Sequence, residues 1–282
     1  MNNVCHSEAQ FDTAKRWLEQ ADAVLIGAGA GFSTAAGLQY GGARFTRYFA
    51  DIQAKYGLTD MYSTAFYPFA TPELTWGYWC RHILVNRYEQ PGQALYAQLK
   101  QRMQGLPHHV ITTNADGLFA KGGFAAEQIF SVQGDYGKFQ CAQPCHDTLY
   151  DNEQAVRTMV AACQDGQIPT ELIPQCPRCG GPMAVNVRKD SRFVQDNVWY
   201  RQHDAYLDFV QRYQHQRLVL IELGIGFNTP SIIKYPFDAM VQHWPQARLL
   251  RVNLDRAEAE RNSNAHTRHW VGDAQDWLAR LA

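Results

Sequence analysis

The chain has 282 residues, 46% of them hydrophobic and 19% charged, which supplies a sizeable core and excludes wholesale disorder. With 26 Lys and Arg against 27 Asp and Glu, the formal charge is −1, so nothing draws the chain generally to nucleic acid or an anionic membrane. No apolar run approaches the roughly 20 residues that cross a bilayer. The start Met1-Asn2-Asn3-Val4-Cys5-His6 lacks the charged-then-apolar pattern of a secretory signal, and a cytoplasmic protein is expected.

Phe11, Ala14, Leu18 and Ala21 recur at helical spacing and predict a helix over 8–21, with Ser7 as its N-cap. Next comes a short apolar run of buried-strand type, Ala23-Val24-Leu25-Ile26, ending in Gly27-Ala28-Gly29-Ala30-Gly31. Helix, strand, glycine turn and a new helix start form the opening of a dinucleotide-type α/β domain. From about 41 to 105 the chain is aromatic and helical in tendency, with Phe45, Tyr48, Phe49, Phe66, Tyr67, Phe69, Trp76, Tyr78 and Trp79 expected in a core. Strand-like runs return at 109–113 and 128–132. Residues 135–199 hold paired cysteines and read as an inserted module. Runs at 218–224 and 248–253 look like buried parallel strands with a helix over 230–244 between them, and 273–281 is a closing helix. The expected organisation is an α/β domain built from 1–134 and 200–282, carrying a helical insertion at about 41–105 and a zinc-binding module at 135–199.

Seven cysteines without an export signal point to metal in a reducing compartment rather than to a disulfide scaffold. Cys5, Cys80 and Cys163 are scattered and read as ordinary thiols. The other four form Cys141-x₃-Cys145 and, after thirty residues, Cys176-Pro-Arg-Cys179-Gly-Gly. Two thiolate pairs on tight turns suit tetrahedral zinc, and four thiolates leave no open position, so the metal is expected to be structural. His146 is an alternative ligand. The glycine loop offers backbone N–H groups to a pyrophosphate, but its spacing misses the usual fingerprint. Counted from Gly27 the third glycine position is Phe32, and counted from Gly29 it is Thr34. No Gly-Lys-Ser/Thr follows, which excludes a P-loop. The loop alone suits a structural turn as well as a nucleotide site. Likewise Asn114 and Asp116, directly after a strand, suit either a ligand site at its carboxyl end or a turn cap.

Taken in order, these motifs resemble the sirtuin family. Gly29-Ala30-Gly31-Phe32-Ser33 with Ala36-Gly37-Leu38 is similar to Gly-Ala-Gly-Ile-Ser…Ser-Gly-Ile, and Thr113-Asn114-Ala115-Asp116-Gly117-Leu118 to Gln-Asn-Ile-Asp-Gly-Leu. Gly224-Ile225-Gly226-Phe227-Asn228-Thr229 stands where sirtuins carry Gly-Thr-Ser, and Asn253 matches their adenosine-side Asn. The resemblance spans nearly the whole chain. It implies a Rossmann-like NAD-binding domain with an inserted zinc module, and cleavage of the nicotinamide–ribose bond through an oxocarbenium-like transition state. Asp116 would grip the nicotinamide carboxamide, Asn114 would position ribose or the attacking group, and Thr113 would lie beside them. Gly29, Ala30, Gly31 and Ser33 would approach the phosphates. Gly224, Gly226, Asn228 and Asn253 would contact the adenosine half, with Asp273 and Ala274 bordering the adenine.

Two departures shape the expected reaction. Where most sirtuins carry Leu-His-Gly, whose histidine is the general base of deacylation, this chain has Val132-Gln133-Gly134. Pro-Asp-Phe-Arg is replaced by Gln39-Tyr40-Gly41-Gly42-Ala43-Arg44. Both changes, with Gln133-Gly134-Asp135-Tyr136-Gly137, resemble the macrodomain-linked class M sirtuins, which are associated with protein ADP-ribosylation beside a lipoyl-carrier protein and a macrodomain. A glutamine amide can hydrogen-bond a ribose hydroxyl but cannot take its proton. The expected activity is therefore ADP-ribose transfer to an acceptor protein, with a lipoyl-carrier protein as the suggested acceptor. Deacylation, or NAD or ADP-ribose binding with weak catalysis, is the alternative.

Overall fold

Two sheets organise the chain in the computed structural model, which describes residues 8–255 and 265–281. Cys5 and the expected cap Ser7 lie outside the described residues. After α1 (Glu8–Glu19) the buried run forms β1 (Ala23–Ala28), and the glycine turn enters the short α2 (Ala30–Ala35). The aromatic region folds as α3 (Gly42–Tyr56), α4 (Met61–Thr64), α5 (Pro72–Ile83) and α6 (Gln93–Arg102), with a π-helical turn over Leu84–Tyr88 after α5. Thr71 starts α5 by accepting the Leu74 N–H at 3.3 Å, with Pro72 in the first turn where its missing N–H costs nothing. β2 (His108–Thr112), α7 (Leu118–Lys121) and β3 (Ile129–Ser131) follow.

The cysteine region contains β4 (Gly134–Cys141), β5 (Tyr150–Asp151), α8 (Glu153–Ala162) and β6 (Met183–Val187). α9 (Asn197–Tyr213), capped by Asp196, leads back to β7 (Leu218–Leu223), α10 (Lys234–His243), β8 (Arg248–Asn253), β9 (Thr267–Val271) and α11 (Ala274–Arg280).

The larger sheet runs β3-β2-β1-β7-β8-β9, every neighbouring pair parallel. Alternation along β1 sends Val24, Ile26 and Ala28 into one core with Phe32, Tyr96 and Trp277, and Ala23 and Leu25 into another with Phe237 and Leu249. Both faces are thus covered, which is why these strands read as unbroken hydrophobic runs. The order reverses between β1 and β7, and an open α/β sheet binds its ligands beyond the carboxyl ends of the strands at such a point. The smaller sheet, β5-β4-β6, is antiparallel. Its Phe139, Cys141, Met183 and Val185 share one core with Phe45, Phe49, Tyr78 and Ile83. The aromatic helices and the cysteine-bearing strands therefore pack as one unit, although some fifty residues separate them in the chain.

β9 and the smaller sheet go unmarked in the sequence, and α9 likewise. Among the described residues no helix is long and apolar enough to cross a membrane.

Candidate functional site

A cavity of about 590 Å³ opens where β1 and β7 part. Its floor is a clasp of two glycine turns. The Gly31 N–H donates to the Gly224 carbonyl at 2.9 Å, and the Gly29 N–H donates to that of Leu223 at 3.0 Å. A Cβ on Gly31 would lie 2.7 Å from Gly224 Cα, and one on Gly29 would lie 2.9 Å from the Gly224 oxygen. Gly224 itself has φ +58, which favours glycine. These glycines are required by each other's backbone, before any ligand arrives.

Above the clasp stands a closed set of polar side chains. Asp116, 4% exposed, accepts from Ser33 Oγ at 2.5 Å and from the Leu118 N–H at 2.9 Å. Having given its one proton to Asp116, Ser33 accepts from Asn114 Nδ2 at 3.0 Å and from the Tyr96 hydroxyl at 2.9 Å, which uses its full capacity. Asn114 Nδ2 also donates to the Gly29 carbonyl at 2.9 Å, so Oδ1 is the atom it can offer a ligand. Burial pushes the Asp116 carboxyl above the usual carboxylate range, against the opposing pull of the Ser33 and Leu118 hydrogen bonds.

The Gln133-Gly134-Asp135-Tyr136-Gly137 stretch braces this loop from the other side. The Tyr136 N–H donates to the Ala115 carbonyl at 2.9 Å. Asp135 takes Arg87 in a two-pronged ion pair at 2.6 and 3.1 Å, and the guanidinium lies where a Cβ on Gly117 would stand, a residue with φ +72. Gln90 Nε2 donates to the Asp116 carbonyl at 2.8 Å.

Of the residues expected around NAD, Gly29, Ala30, Gly31, Ser33, Thr113, Asn114, Asp116, Gln133, Gly224, Gly226, Asn228 and Asn253 all line the cavity. Asp273 and Ala274 do not. Asp273 instead caps α11 by accepting the Gln275 N–H at 2.6 Å, and Ala274 is buried behind it. Asn253 Nδ2 donates to the Ile225 carbonyl at 2.9 Å and so holds the turn after β7.

The remaining wall is aromatic, with Tyr40, Met61, Phe66, Trp79, His82 and Tyr136 in it. The expectation that the aromatic stretch is core holds for Phe45, Phe49, Trp76, Tyr78 and Trp79, although Trp79 also lines the cavity, whereas Phe66 is 54% exposed there. A buried ion cluster lies behind β7, where Glu222 accepts from Lys234 Nζ at 2.6 Å and from Arg251 Nε at 2.9 Å. It ties α10 and β8 to the strand that ends in Gly224.

The four cysteines come together away from this cavity. All four Sγ atoms lie within 4.8 Å of one another, with Cys141–Cys179 and Cys145–Cys176 both at 3.8 Å. A tetrahedron of sulfurs about 2.3 Å from a central zinc has edges of about 3.8 Å. The donor set and its spacing are those of a structural zinc site. His146 stands beside it, Nδ1 at 2.9 Å from Cys145 Sγ and Nε2 at 2.8 Å from the Tyr150 hydroxyl. Cys80 is buried and Cys163 half-buried, both apart from the cluster.

No protein-family model matches the chain. It is 35% identical over 265 residues to a protein ADP-ribosyltransferase of Staphylococcus aureus, covering 94% of this chain and 84% of that one. It is also 35% identical over 260 residues to a probable bifunctional ADP-ribose hydrolase/ADP-ribosyltransferase of Fusarium oxysporum f. sp. cubense, of which it spans 43%. In fold it is similar to Sir2Tm bound to a propionylated peptide (TM-score 0.59, 15% identity, 96% of each chain). A second solved structure is Sir2 with a p53 peptide and NAD+ (TM-score 0.57, 17% identity, 96% of each chain). The chain belongs to the family of the staphylococcal protein ADP-ribosyltransferase, and it has the fold of the Sir2 structures.

Proposed function

We propose that the cavity binds NAD across the glycine clasp and transfers its ADP-ribosyl group to a side chain of an acceptor protein. NAD supplies that group: the ribose C1′–nicotinamide bond breaks with its electron pair leaving on nicotinamide, and the acceptor's nucleophile bonds C1′ and gives its proton to solvent. The chain contributes position rather than covalent chemistry. The loop Gly29-Ala30-Gly31 runs along the phosphates, the Gly29 and Gly31 N–H groups being taken by the clasp, and Gly224, Gly226, Asn228 and Asn253 hold the adenosine half. Asn114 offers Oδ1 to the reacting ribose or nucleophile, Asp116 holds the nicotinamide end with Thr113 beside it, and Ser33 orients both acidic and amide groups. Gln133 hydrogen-bonds a ribose hydroxyl.

The observation that carries transfer over deacylation is the lack of a usable imidazole base among the described residues lining the cavity. Gln133 cannot titrate, and the histidine of the aromatic wall, His82, is pushed down to about 3 by burial, with Arg44 and Lys189 adding repulsion. A base that weak takes little from a ribose hydroxyl near neutral pH. The resemblance to class M sirtuins suggests a lipoyl-carrier protein as acceptor and a separate macrodomain protein as functional partner. Four closely set thiols suit the reducing conditions of the cytoplasm. The test is incubation with NAD and either a lipoyl-carrier protein or acyl peptides, followed by mass spectrometry. Added ADP-ribose on the carrier supports the proposal; efficient loss of acyl groups with no ADP-ribose added overturns it.

A further inference from the structure

Arg87, Asp135 and Gly137 stand outside the lining of the cavity and meet one another behind the Asp116 loop. Asp135 accepts from Arg87 Nε at 2.6 Å and from Nη2 at 3.1 Å, and its Oδ1 also accepts the Gly137 N–H at 2.6 Å. Arg87 Cζ, Nη1 and Nε would lie 2.5, 2.7 and 2.8 Å from a Cβ on Gly117, so the guanidinium turns its face to that glycine. A Cβ on Gly137 would come within 3.1 Å of Arg87 Nε. Glycine at both positions makes room for this one side chain. The side chains of Arg87 and Asp135 are only 20% and 30% exposed, so salt screens the pair weakly. The segment bearing Arg87 grips the same loop at two further points. It starts as the π-helical turn Leu84–Tyr88, a winding that recurs at functional sites. Lys121, at the end of α7, donates to the Arg87 carbonyl at 2.8 Å, to the Tyr88 carbonyl at 3.0 Å and to Gln90 Oε1 at 2.8 Å. Gln90 Nε2 in turn donates to the Asp116 carbonyl at 2.8 Å. Asp116, Gly117 and Lys121 are thus all fastened to one turn.

We propose that Arg87 is a positioning residue for the cofactor: ion-paired to Asp135 and laid against Gly117, it sets the Asp116 carboxylate where the nicotinamide end of NAD binds. The proposal rests on the reading that Asp116 holds that end. Arg87 acts only through the loop. Lysine in its place keeps the charge but loses the planar, two-pronged fit. Asparagine at 135 keeps the size of the partner but loses its charge. Either change frees the loop that carries Asp116 and leaves the glycine clasp, which touches neither residue, as it was. Loss of the brace is therefore felt at the nicotinamide end and spared in the rest of the ligand.

The test reads equilibrium binding, so it stands apart from whether transfer occurs. Carba-NAD, in which a methylene replaces the ribose ring oxygen next to nicotinamide, stays intact; ADP-ribose lacks nicotinamide altogether. Both are titrated by calorimetry into the zinc-loaded protein, Arg87→Lys, Asp135→Asn and the double variant, with melting temperatures recorded as controls for folding. Each single variant is expected to bind carba-NAD about tenfold more weakly, the range of one hydrogen bond to a charged group. ADP-ribose should stay within about twofold of its affinity for the unmutated protein. The double variant should bind carba-NAD no worse than Arg87→Lys, because the two partners act as a unit. A purely structural role would weaken both ligands alike, and that result overturns the proposal. So does unchanged carba-NAD binding in both single variants, or a double variant whose loss is the product of the two single losses. Failure of the unmutated protein to bind either ligand is a separate outcome: it removes the NAD reading of the cavity, and the proposal with it.

Discussion

Six parallel strands bury nearly every side chain of β1, β2 and β7 between two layers of helix, while the smaller antiparallel sheet, bulged between Asp135 and Phe139, lies beside four thiols brought together by its turns. The first sheet is stabilised by apolar burial on both faces and needs nothing from outside. The second shares its core with the aromatic helices, but its cysteine turns bring together four sulfurs at the spacing that suits a zinc ion. The difference separates two roles. The parallel sheet fixes the polar loops of the cavity, and the zinc module fixes the strands β4 and β6 that supply its far wall.

The strongest way to sharpen that contrast is to remove the metal. Cys176→Ser should lose zinc and cost about 4 kcal/mol or more, with the smaller sheet opening while the parallel sheet keeps its protection. Zinc content by elemental analysis and amide hydrogen exchange read both halves of the expectation; equal exposure of the two sheets would break the contrast.

On the parallel-sheet side, Asn114→Ala should leave the fold intact and lower the rate of ADP-ribose transfer by about 100-fold, the usual loss when one positioned polar group leaves a reacting centre. Single-turnover kinetics with saturating NAD would check it. A smaller effect is expected at the turn after β7. A Cβ on Gly226 meets nothing within 4 Å, so Gly226→Val should fold and weaken NAD binding by about tenfold through occupancy of the cavity mouth, measured by calorimetry. Gly31→Val would instead strike the Gly224 backbone and should fail to fold, which makes it a poor probe of NAD binding.

The smallest effect concerns Asp116. Burial raises its carboxyl pKa in the folded chain, so its contribution to stability is greatest below the unfolded value of about 4 and is lost as pH rises through the higher folded one. Asp116→Asn should lack that decline, so its melting temperature should fall less between pH 4 and 8 than that of the unmutated protein, while transfer falls. Melting curves of both proteins from pH 4 to 8 give the difference; parallel profiles would count against a raised pKa.

Much of the parallel sheet was legible because strands buried on both faces are written as apolar runs bounded by glycine, as in 23–28 and 218–224. The edge strand β9 was not, since Thr-Arg-His-Trp-Val alternates without a hydrophobic face and is only partly buried. β4 hides for another reason: two glycines and a bulge between Asp135 and Phe139 interrupt its pattern. In the cavity, residues after strand ends announced themselves through Gly, Asn and Asp. The aromatic wall gave no such signal, because Trp79 and His82 sit on the same helix as the fully buried Tyr78 and Ile83, and periodicity cannot say which side of a helix meets a void. An odd polar residue in an apolar helix, His82 among Trp, Tyr and Ile, was the one available clue.

The clasp between the glycine turns also bears on how the chain comes to be folded as it is made. β1 is the first strand among the described residues, yet one of its two edges pairs with β7, from Ala23↔Leu218 to Ala28↔Leu223. During synthesis that edge stays unpaired until nearly 200 further residues have been added. Such a wait makes closure of the site a late, non-local event. The aromatic and cysteine segments, whose partners lie closer along the chain, can collapse meanwhile, leaving an apolar strand edge exposed to other nascent chains until β7 arrives.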